Sequence, residues 1–202
     1  MIINIIGNCD KRPVLYTVMK ICQTLGDVLV ITNNARLLRL SDTRDSFGHY
    51  QNTMIAYTQE GIDDFLDDFN YDFNDFEYTI VDNIVLAEAS LTIYVEGLLK
   101  DESEMDLLEY IESYQTIELY KGNLLGPKTL RNLECFEAFA NMQPISAKLA
   151  ERVAVLLGEA LDKDPKMLQE IAMQEDPSPD TSGKRQVGPG KGGKLLAKFG
   201  KK

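Results

Sequence analysis

The residues best suited to chemistry lie in the short turn that follows the first apolar segment. A strand predicted over residues 2–7 ends in Gly7, and a segment with apolar residues at helical spacing, 14–25, follows closely. A strand that passes through a glycine turn into a helix points backbone N–H groups and the positive helix end at one place, where phosphate binds in many α/β domains. The candidate anion-binding residues of this turn are Gly7, Asn8, Lys11 and Arg12.

The elements that would hold this turn in place alternate between strands and helices. Further buried strands are predicted at residues 27–32, 76–83, 90–96 and 116–120, and helices at 61–70 and 104–114. Residues 35–58 are less regular, with short strands predicted on either side of a polar stretch, 41–52. Alternation of this kind is typical of an α/β domain with a mostly parallel sheet and helices on both faces.

The second half of the chain predicts three further segments. Helical spacing continues over 128–142 and 144–174, whereas the Pro- and Gly-rich stretch that follows buries too little surface to offset the entropy of ordering. We therefore predict an α/β core at 1–125, a helical C-terminal extension packed on it at 126–175, a flexible linker at 176–193 and a disordered cationic tail peptide at 194–202.

Three apolar strands and one strand-end acid resemble the deviant Walker ATPases of the MinD/ParA type, which include the pilus and secretion-assembly proteins of the CpaE/TadZ kind. The resemblance spans about residues 1–160 and depends mainly on residues 76–82, where an aromatic–acid–aromatic triplet runs into an apolar strand that ends on Asp82. It implies a P-loop NTPase-like fold and gives Asp82 a Walker-B-like position, in which the family holds magnesium beside a nucleotide. An acid that caps the next turn is the alternative interpretation of Asp82.

The family's phosphate loop, Gly-Lys-Gly-Gly-x-Gly-Lys-Thr, is not preserved. Aligned on Gly7, its first lysine is replaced by Asn8, its last glycine by Arg12, its phosphate-binding lysine by Pro13 and its magnesium-binding threonine by Val14. Proline has no N–H to donate, and Asp10 adds a negative charge where phosphate would sit. We therefore predict that the chain is not an enzyme and has no cofactor, with weak binding of ATP and magnesium through Lys11 and Arg12 as the alternative.

Charge is distributed unevenly along the chain. The net charge is −11, and residues 183–202 carry seven Lys or Arg and no acid, so the first 182 residues sum to −18 (−11 − 7). An acidic body with a basic tail indicates a dedicated interaction segment.

Two candidate interaction surfaces follow from this charge pattern. One face of the helix predicted at 61–70 carries Asp63, Asp64, Asp67 and Asp68. It is either a solvated face or a docking site for a basic partner, including this chain's own tail. The tail has four lysines and three large apolar side chains: Lys194, Leu195, Leu196, Lys198, Phe199, Lys201 and Lys202.

The tail pattern suits an anionic membrane surface, because its apolar residues fit one helical face and its lysines fit lipid phosphates. The resemblance implies the same, since MinD-like proteins often end in a short amphipathic membrane-targeting helix. Nucleic acid, a protein groove and a purely solubilising role are the alternatives.

Composition excludes several classes of protein. Hydrophobic residues make up 44% and charged residues 26% of the chain, which is typical of a soluble domain, and no apolar run reaches membrane-spanning length. His49 is the sole histidine and the three cysteines form no C-x-x-C motif, which argues against a zinc site or a disulfide framework. The N-terminus has no signal-peptide pattern. We predict a cytoplasmic location, either peripheral to the inner membrane or within an assembled particle.

The sequence thus favours a non-catalytic adaptor or scaffold that localises or assembles a larger machine. By resemblance, that machine is of the pilus, secretion or conjugation type, and the expected partner is a protein of a multi-component assembly, with a homodimer as a further option. The alternatives are a structural or assembly protein of a phage or other particle, and a weak nucleotide-binding ATPase.

Overall fold

Seven strands and three helices are assigned in the described part of the chain. The computed structural model describes residues 1–35, 37, 47–59, 62, 66, 72, 75–84, 86, 88–97, 105–106, 108–119 and 146–174. The strands are β1 (Ile2–Ile6), β2 (Val28–Thr32), β3 (Phe47–Tyr50), β4 (Thr53–Tyr57), β5 (Tyr78–Asp82), β6 (Leu91–Glu96) and β7 (Gln115–Glu118). The helices are α1 (Arg12–Leu25), α2 (Ala147–Leu161) and α3 (Pro165–Met173).

All seven strands belong to one sheet, in the order β3-β4-β2-β5-β1-β6-β7. Every neighbouring pair is parallel except β3 and β4, which are antiparallel. In the centre, Ile3 of β1 is paired with Ile80 of β5, and Ile5 with Ile93 of β6. The sheet confirms the predicted α/β class with mostly parallel strands, and it brings the carboxyl ends of β1, β2 and β5 to one edge.

Both faces of the central strands are buried, which explains their continuous apolar runs. Ile3 and Ile5 of β1 face a large core that includes α1, α2 and α3, whereas Ile2 and Ile6 face smaller clusters on the other side. Ile62, which is helical, packs in one of these smaller clusters. Each fully buried Ile or Leu contributes about 1.5–3 kcal/mol to stability.

Helix α1 is the helix that positions the glycine turn, and it is buried along most of its length. Eleven of its 14 residues are buried, because the sheet covers one side and α2 and α3 cover another. Pro13 lies in its first turn, where the missing N–H has no helical partner to lose. The helix ends at Gly26, whose N–H donates to the Cys22 carbonyl.

Two predicted elements are wrong in part. The polar stretch 41–52 contains strand β3, which pairs with β4 across a two-residue turn in which Gln51 has a φ of 53°. The helix predicted at 104–114 does not reach its predicted end: residues 105, 106 and 108 are helical, 109 and 110 form a turn, and no helix is assigned at 111–114, before β7 begins at Gln115. In both places pairing at the sheet edge overrides the local pattern.

Several predictions concern residues outside the described part of the chain. These are Asp63, Asp64, Asp67 and Asp68, the helix at 128–142, the linker at 176–193 and the tail at 194–202. Among the described residues, no helix is long and apolar enough to cross a membrane.

Candidate functional site

A cleft of about 400 Å³ opens at the carboxyl edge of the sheet, beside the start of α1. Its lining comes from the turn after β1 and from the ends of β2 and β5: Cys9, Asp10, Lys11, Arg12, Leu15, Asn33, Asn34, Asp82 and Asn83. In open parallel sheets, ligands bind outside the carboxyl ends of the strands. The cleft is therefore the first candidate for a functional site in the described part of the chain.

Gly7 makes the turn from β1 towards α1 possible. Its φ is 133°, a backbone conformation that side chains disfavour, and a Cβ added here would lie 2.3 Å from the carbonyl oxygen of Val95. Two residues on, the Cys9 thiol donates to the same Val95 oxygen at 3.2 Å. The turn is thus packed directly against the end of β6.

Lys11, at the N-cap of α1, points its ammonium group at three oxygen atoms. Nζ donates to the carbonyl of Gly7 at 2.7 Å and to Oδ1 of Asn83 at 3.0 Å, and lies 4.0 Å from Oδ1 of Asp82. An ammonium group has three N–H donors and no acceptor. Two of its donors are engaged in hydrogen bonds and the Asp82 carboxylate lies at ion-pair distance, so an incoming phosphate has to compete with these contacts.

Asp82 is the buried acid of the cleft. It ends β5, is 3% exposed, and accepts a hydrogen bond from Thr32 Oγ1 to Oδ2 at 2.8 Å. Burial raises the pKa of Asp82 above its ordinary value, while the Lys11 charge and the Thr32 hydrogen bond lower it. Thr32 in turn accepts from the N–H of Asn34 at 2.9 Å, which fixes the hydroxyl on the Asp82 side.

Asp10 and Arg12 form an ion pair within the turn. Arg12 Nε donates to Oδ1 of Asp10 at 2.7 Å and a terminal guanidinium nitrogen donates to Oδ2, so the contact is bidentate. This hydrogen bonding raises the pKa of Arg12. The backbone N–H of Arg12 also donates to Oδ1 of Asp10, at 3.2 Å. The negative charge predicted to disturb an anion site is therefore offset by its neighbour, which also means that Arg12 is engaged with Asp10.

An amide pair connects the ends of β2 and β5. Asn83 Nδ2 donates to Oδ1 of Asn33 at 2.7 Å, and Asn33 Nδ2 donates to the Asn83 carbonyl at 3.2 Å. Asn83 has a φ of 63°, in the left-handed region that asparagine tolerates better than most residues. The pair holds the Asn83 side chain where it accepts from Lys11.

A buried asparagine in β1 supports the loop after β5. Asn4 is fully buried, and its Nδ2 donates to the carbonyls of Val81 and Ile84 at 3.1 and 2.7 Å. Its Oδ1 accepts from the N–H of Leu86 at 3.4 Å. These bonds explain an asparagine within an otherwise apolar strand, because a buried amide without partners costs about 1–3 kcal/mol.

The structure brings most of the predicted turn residues together with Asp82. Lys11 and Arg12 line the cleft with this acid, and Gly7 accepts a hydrogen bond from Lys11 without lining the cleft. Asn8 is exposed and is not part of the lining either. The loop alignment put Pro13 in the place of the phosphate-binding lysine, but the lysine beside Asp82 is Lys11.

Sequence reasoning missed the polar residues at the ends of β2 and β5. Thr32, Asn33 and Asn83 complete the cleft network, and each stands at the end of a buried apolar run. That position was a usable signal, because carboxyl ends of parallel strands share one edge. The local sequence does not, however, indicate which of these strands are neighbours in the sheet.

No metal centre is found among the residues that the structure describes. Within them, no three His, Cys, Asp or Glu side chains are grouped so as to hold a metal ion. The two acids that line the cleft, Asp10 and Asp82, accept hydrogen bonds from Arg12 and from Thr32, respectively.

Comparisons with protein-family models, with curated proteins and with solved structures found no match to this chain. Its function therefore has to be inferred from the cleft and from the charge pattern.

Proposed function

We propose that this chain is a non-catalytic adaptor or scaffold of the MinD/ParA type, related to the CpaE/TadZ-like deviant Walker ATPases, that localises or assembles a larger machine. The observation that carries the proposal is that the place of a phosphate loop is occupied by the protein's own contacts. Lys11 donates to Gly7 and Asn83, and Arg12 is paired with Asp10.

The helix start gives the same conclusion. A phosphate at a helix N-terminus is held by the first backbone N–H groups. In α1 the Arg12 N–H donates to Asp10 and Pro13 has no N–H. Hydrolysis would in addition need a group that positions magnesium, where this chain has Val14, a buried apolar residue. A site so arranged stabilises the turn instead of binding a triphosphate.

The proposed adaptor acts through contacts with a protein of a multi-component assembly and through its basic tail, residues 194–202. A pilus, secretion or conjugation apparatus is the setting that the family resemblance supports. We propose that the tail binds an anionic membrane surface, since four lysines and three large apolar side chains occur within its nine residues.

The test of the non-catalytic proposal is thermal unfolding of the full chain with millimolar ATP or GTP and Mg²⁺, together with a phosphate-release assay. A ligand at 100 times its Kd stabilises the native state by about 2.7 kcal/mol, which is readily measured. We expect no shift and no release. A shift that disappears in Lys11→Met, with phosphate release, would contradict the proposal.

The adaptor role itself requires a partner. Affinity purification of the full chain from its native cells should recover a component of a membrane-associated machine in stoichiometric amount. Flotation with vesicles containing anionic lipid should decrease when residues 194–202 are removed. Recovery of a shell or tail protein of a particle would favour particle assembly instead.

Weak nucleotide binding is a second candidate, because the cleft has a ligand-sized volume and contains Lys11 beside Asp82. It predicts a small thermal shift without phosphate release. Thermal unfolding and phosphate release together therefore distinguish a weak nucleotide binder from an adaptor that binds no nucleotide and from an ATPase.

A further inference from the structure

The segment 105–114 presents a surface that is both apolar and acidic. Met105 is 48% exposed, Tyr110 78% and Tyr114 39%. The acids between them, Asp106, Glu109 and Glu112, are exposed as well. These six residues form the 105–114 surface.

The base of this surface is firmly packed. Leu108 and Ile111 are buried in a cluster with Ile6 and Tyr94. The Tyr114 ring meets the Tyr94 ring edge to face, with centroids 6.0 Å apart and planes at 82°. The exposed side chains therefore stand on a fixed support.

The charge of this surface has one sign. Residues 105–119 contain four acids and no Lys or Arg, whereas the exposed residues of α2 and α3 include both signs, such as Glu151 and Arg152. Single exposed apolar side chains are common. Three exposed apolar side chains grouped with three acids favour a binding partner that is both apolar and cationic.

The chain itself contains such an occupant. Residues 194–202 carry four lysines with Leu195, Leu196 and Phe199, and no acid. The described body ends at Gln174, and the 19 residues 175–193 lie between it and the tail. Fully extended, they span about 65 Å. A compact domain of about 174 residues has a radius of gyration of about 16 Å, and about 65 Å is enough to reach any side of a domain of that size.

We propose that residues 194–202 dock on the 105–114 surface of their own chain. The lysines lie against Asp106, Glu109 and Glu112, and the three apolar side chains lie against Met105, Tyr110 and Tyr114. Lysines beside tyrosine rings gain cation–π attraction in addition. The docked tail is withheld from a membrane, so the contact regulates the tail function; this regulatory role rests on the proposed function, whereas the docking itself does not.

The test uses the absence of tryptophan from the chain. Phe199→Trp in the full-length protein gives a single fluorescent indole in the tail. We expect a blue-shifted emission and an acrylamide quenching constant about threefold below that of a free peptide of residues 194–202 with the same substitution, because a docked indole is shielded from water. Near 1 M NaCl, where the Debye length is about 3 Å, the shielding should be lost.

The matched variants, each made in the Phe199→Trp protein, locate the contact. Asp106→Asn/Glu109→Gln/Glu112→Gln should return the indole emission to that of the free peptide, while Glu151→Gln/Glu159→Gln/Glu170→Gln, which changes the net charge equally, should leave the indole shielded. Tyr110→Ser gives a second variant that keeps all charges and should weaken the shielding.

Three results would overturn the proposal. They are indole emission equal to that of the free peptide, shielding that survives the variants of the 105–114 surface, and shielding that rises with protein concentration, which would place the tail on a second copy. Vesicle flotation tests the adaptor proposal separately from the docking. If the tail drives flotation while its indole is unshielded, the docking proposal is refuted and the adaptor proposal is not. If the docking is correct, the variant lacking the three acids should float more than the parent.

Discussion

At the scale of single residues, Asp82 connects the cleft to the pH dependence of stability. Because burial raises its pKa, the native protein keeps a proton on this carboxyl over a range in which the unfolded chain has lost it. The stability that the group contributes is fully present below the ordinary value of 3.8 and is lost as the pH rises through the raised native value.

We expect Asp82→Asn to remove this pH dependence. Asparagine is neutral throughout and still accepts the Thr32 hydrogen bond through its Oδ1. Measured by urea unfolding, the parent protein should lose stability relative to Asp82→Asn as the pH rises from about 4 to about 7. Glu170→Gln, which changes an exposed acid on α3, is the control. Parallel pH profiles for the parent and Asp82→Asn would refute this account.

Gly7 gives a prediction about backbone strain. Gly7→Ala places a Cβ 2.3 Å from the Val95 oxygen at a φ of 133°, so a strand end has to move. We expect a loss of about 3 kcal/mol or more in the free energy of unfolding, measured by urea denaturation.

Gly26→Ala is the matched control for Gly7→Ala. The φ of Gly26 is 179°, which any residue adopts, and its nearest obstacle is the flexible end of Glu77. The expected cost is about 1 kcal/mol, for the hydrogen bond between Glu77 and the Asp27 N–H. Equal losses in the two variants would show that the turn at Gly7 is not strained.

At the scale of elements, α1 and α3 are joined through a buried lysine. Lys20 of α1 is 4% exposed and donates to the carbonyl of Gln174, at the C-terminal end of α3. A cation is favourable at that end of a helix. Desolvation nevertheless lowers the pKa of Lys20 to about 8.

The lowered pKa of Lys20 gives a second pH prediction. Between about 8 and the ordinary value of 10.5, the unfolded chain binds more protons than the native one, so stability rises with pH across this window. We expect the unfolding free energy of the parent to rise relative to that of Lys20→Met from about pH 8 to about pH 10. The tyrosines titrate in both proteins, so their effect cancels. A constant difference would contradict the assignment.

The elements also show where sequence patterns were sufficient. Residues 2–32 form the predicted strand, helix and strand. Apolar residues at helical spacing between two continuous apolar runs are compatible with only this order of elements. Strand β3 was not predicted because an edge strand has few buried positions, and Gly48 is its one buried residue. The helical residues 105, 106 and 108 give way to a turn because the chain has to reach the register in which Gln115 pairs with Ile93.

At the scale of the whole molecule, the C-terminal helices complete the main core. The buried side chains that α2 and α3 contribute include Leu149, Val153, Leu156, Leu157, Leu168 and Ile171. Together these contribute on the order of 10 kcal/mol. A typical domain has a net stability of about 5–15 kcal/mol, so the core depends on them.

Two truncations test this dependence. A chain that ends at residue 182 keeps α2 and α3 and lacks only the end of the linker and the docked tail, so it should unfold within about 1 kcal/mol of the full chain. A chain that ends at residue 145 lacks both helices and should not fold cooperatively, as followed by circular dichroism in urea. Cooperative unfolding of the shorter chain would show that α1 and the sheet form a sufficient core.

The sequence by itself determined the α/β class, the glycine turn, the acid at the end of β5 and the opposite charges of body and tail, because each follows from local period, composition or a single residue type. Only the tertiary structure decided that β1 lies between β5 and β6, that Lys11 reaches Asp82 and Asn83, and that Asp10 is paired with Arg12. The reason is physical: strand order and side-chain partners are set by contacts between residues distant in the chain, and no local pattern records them.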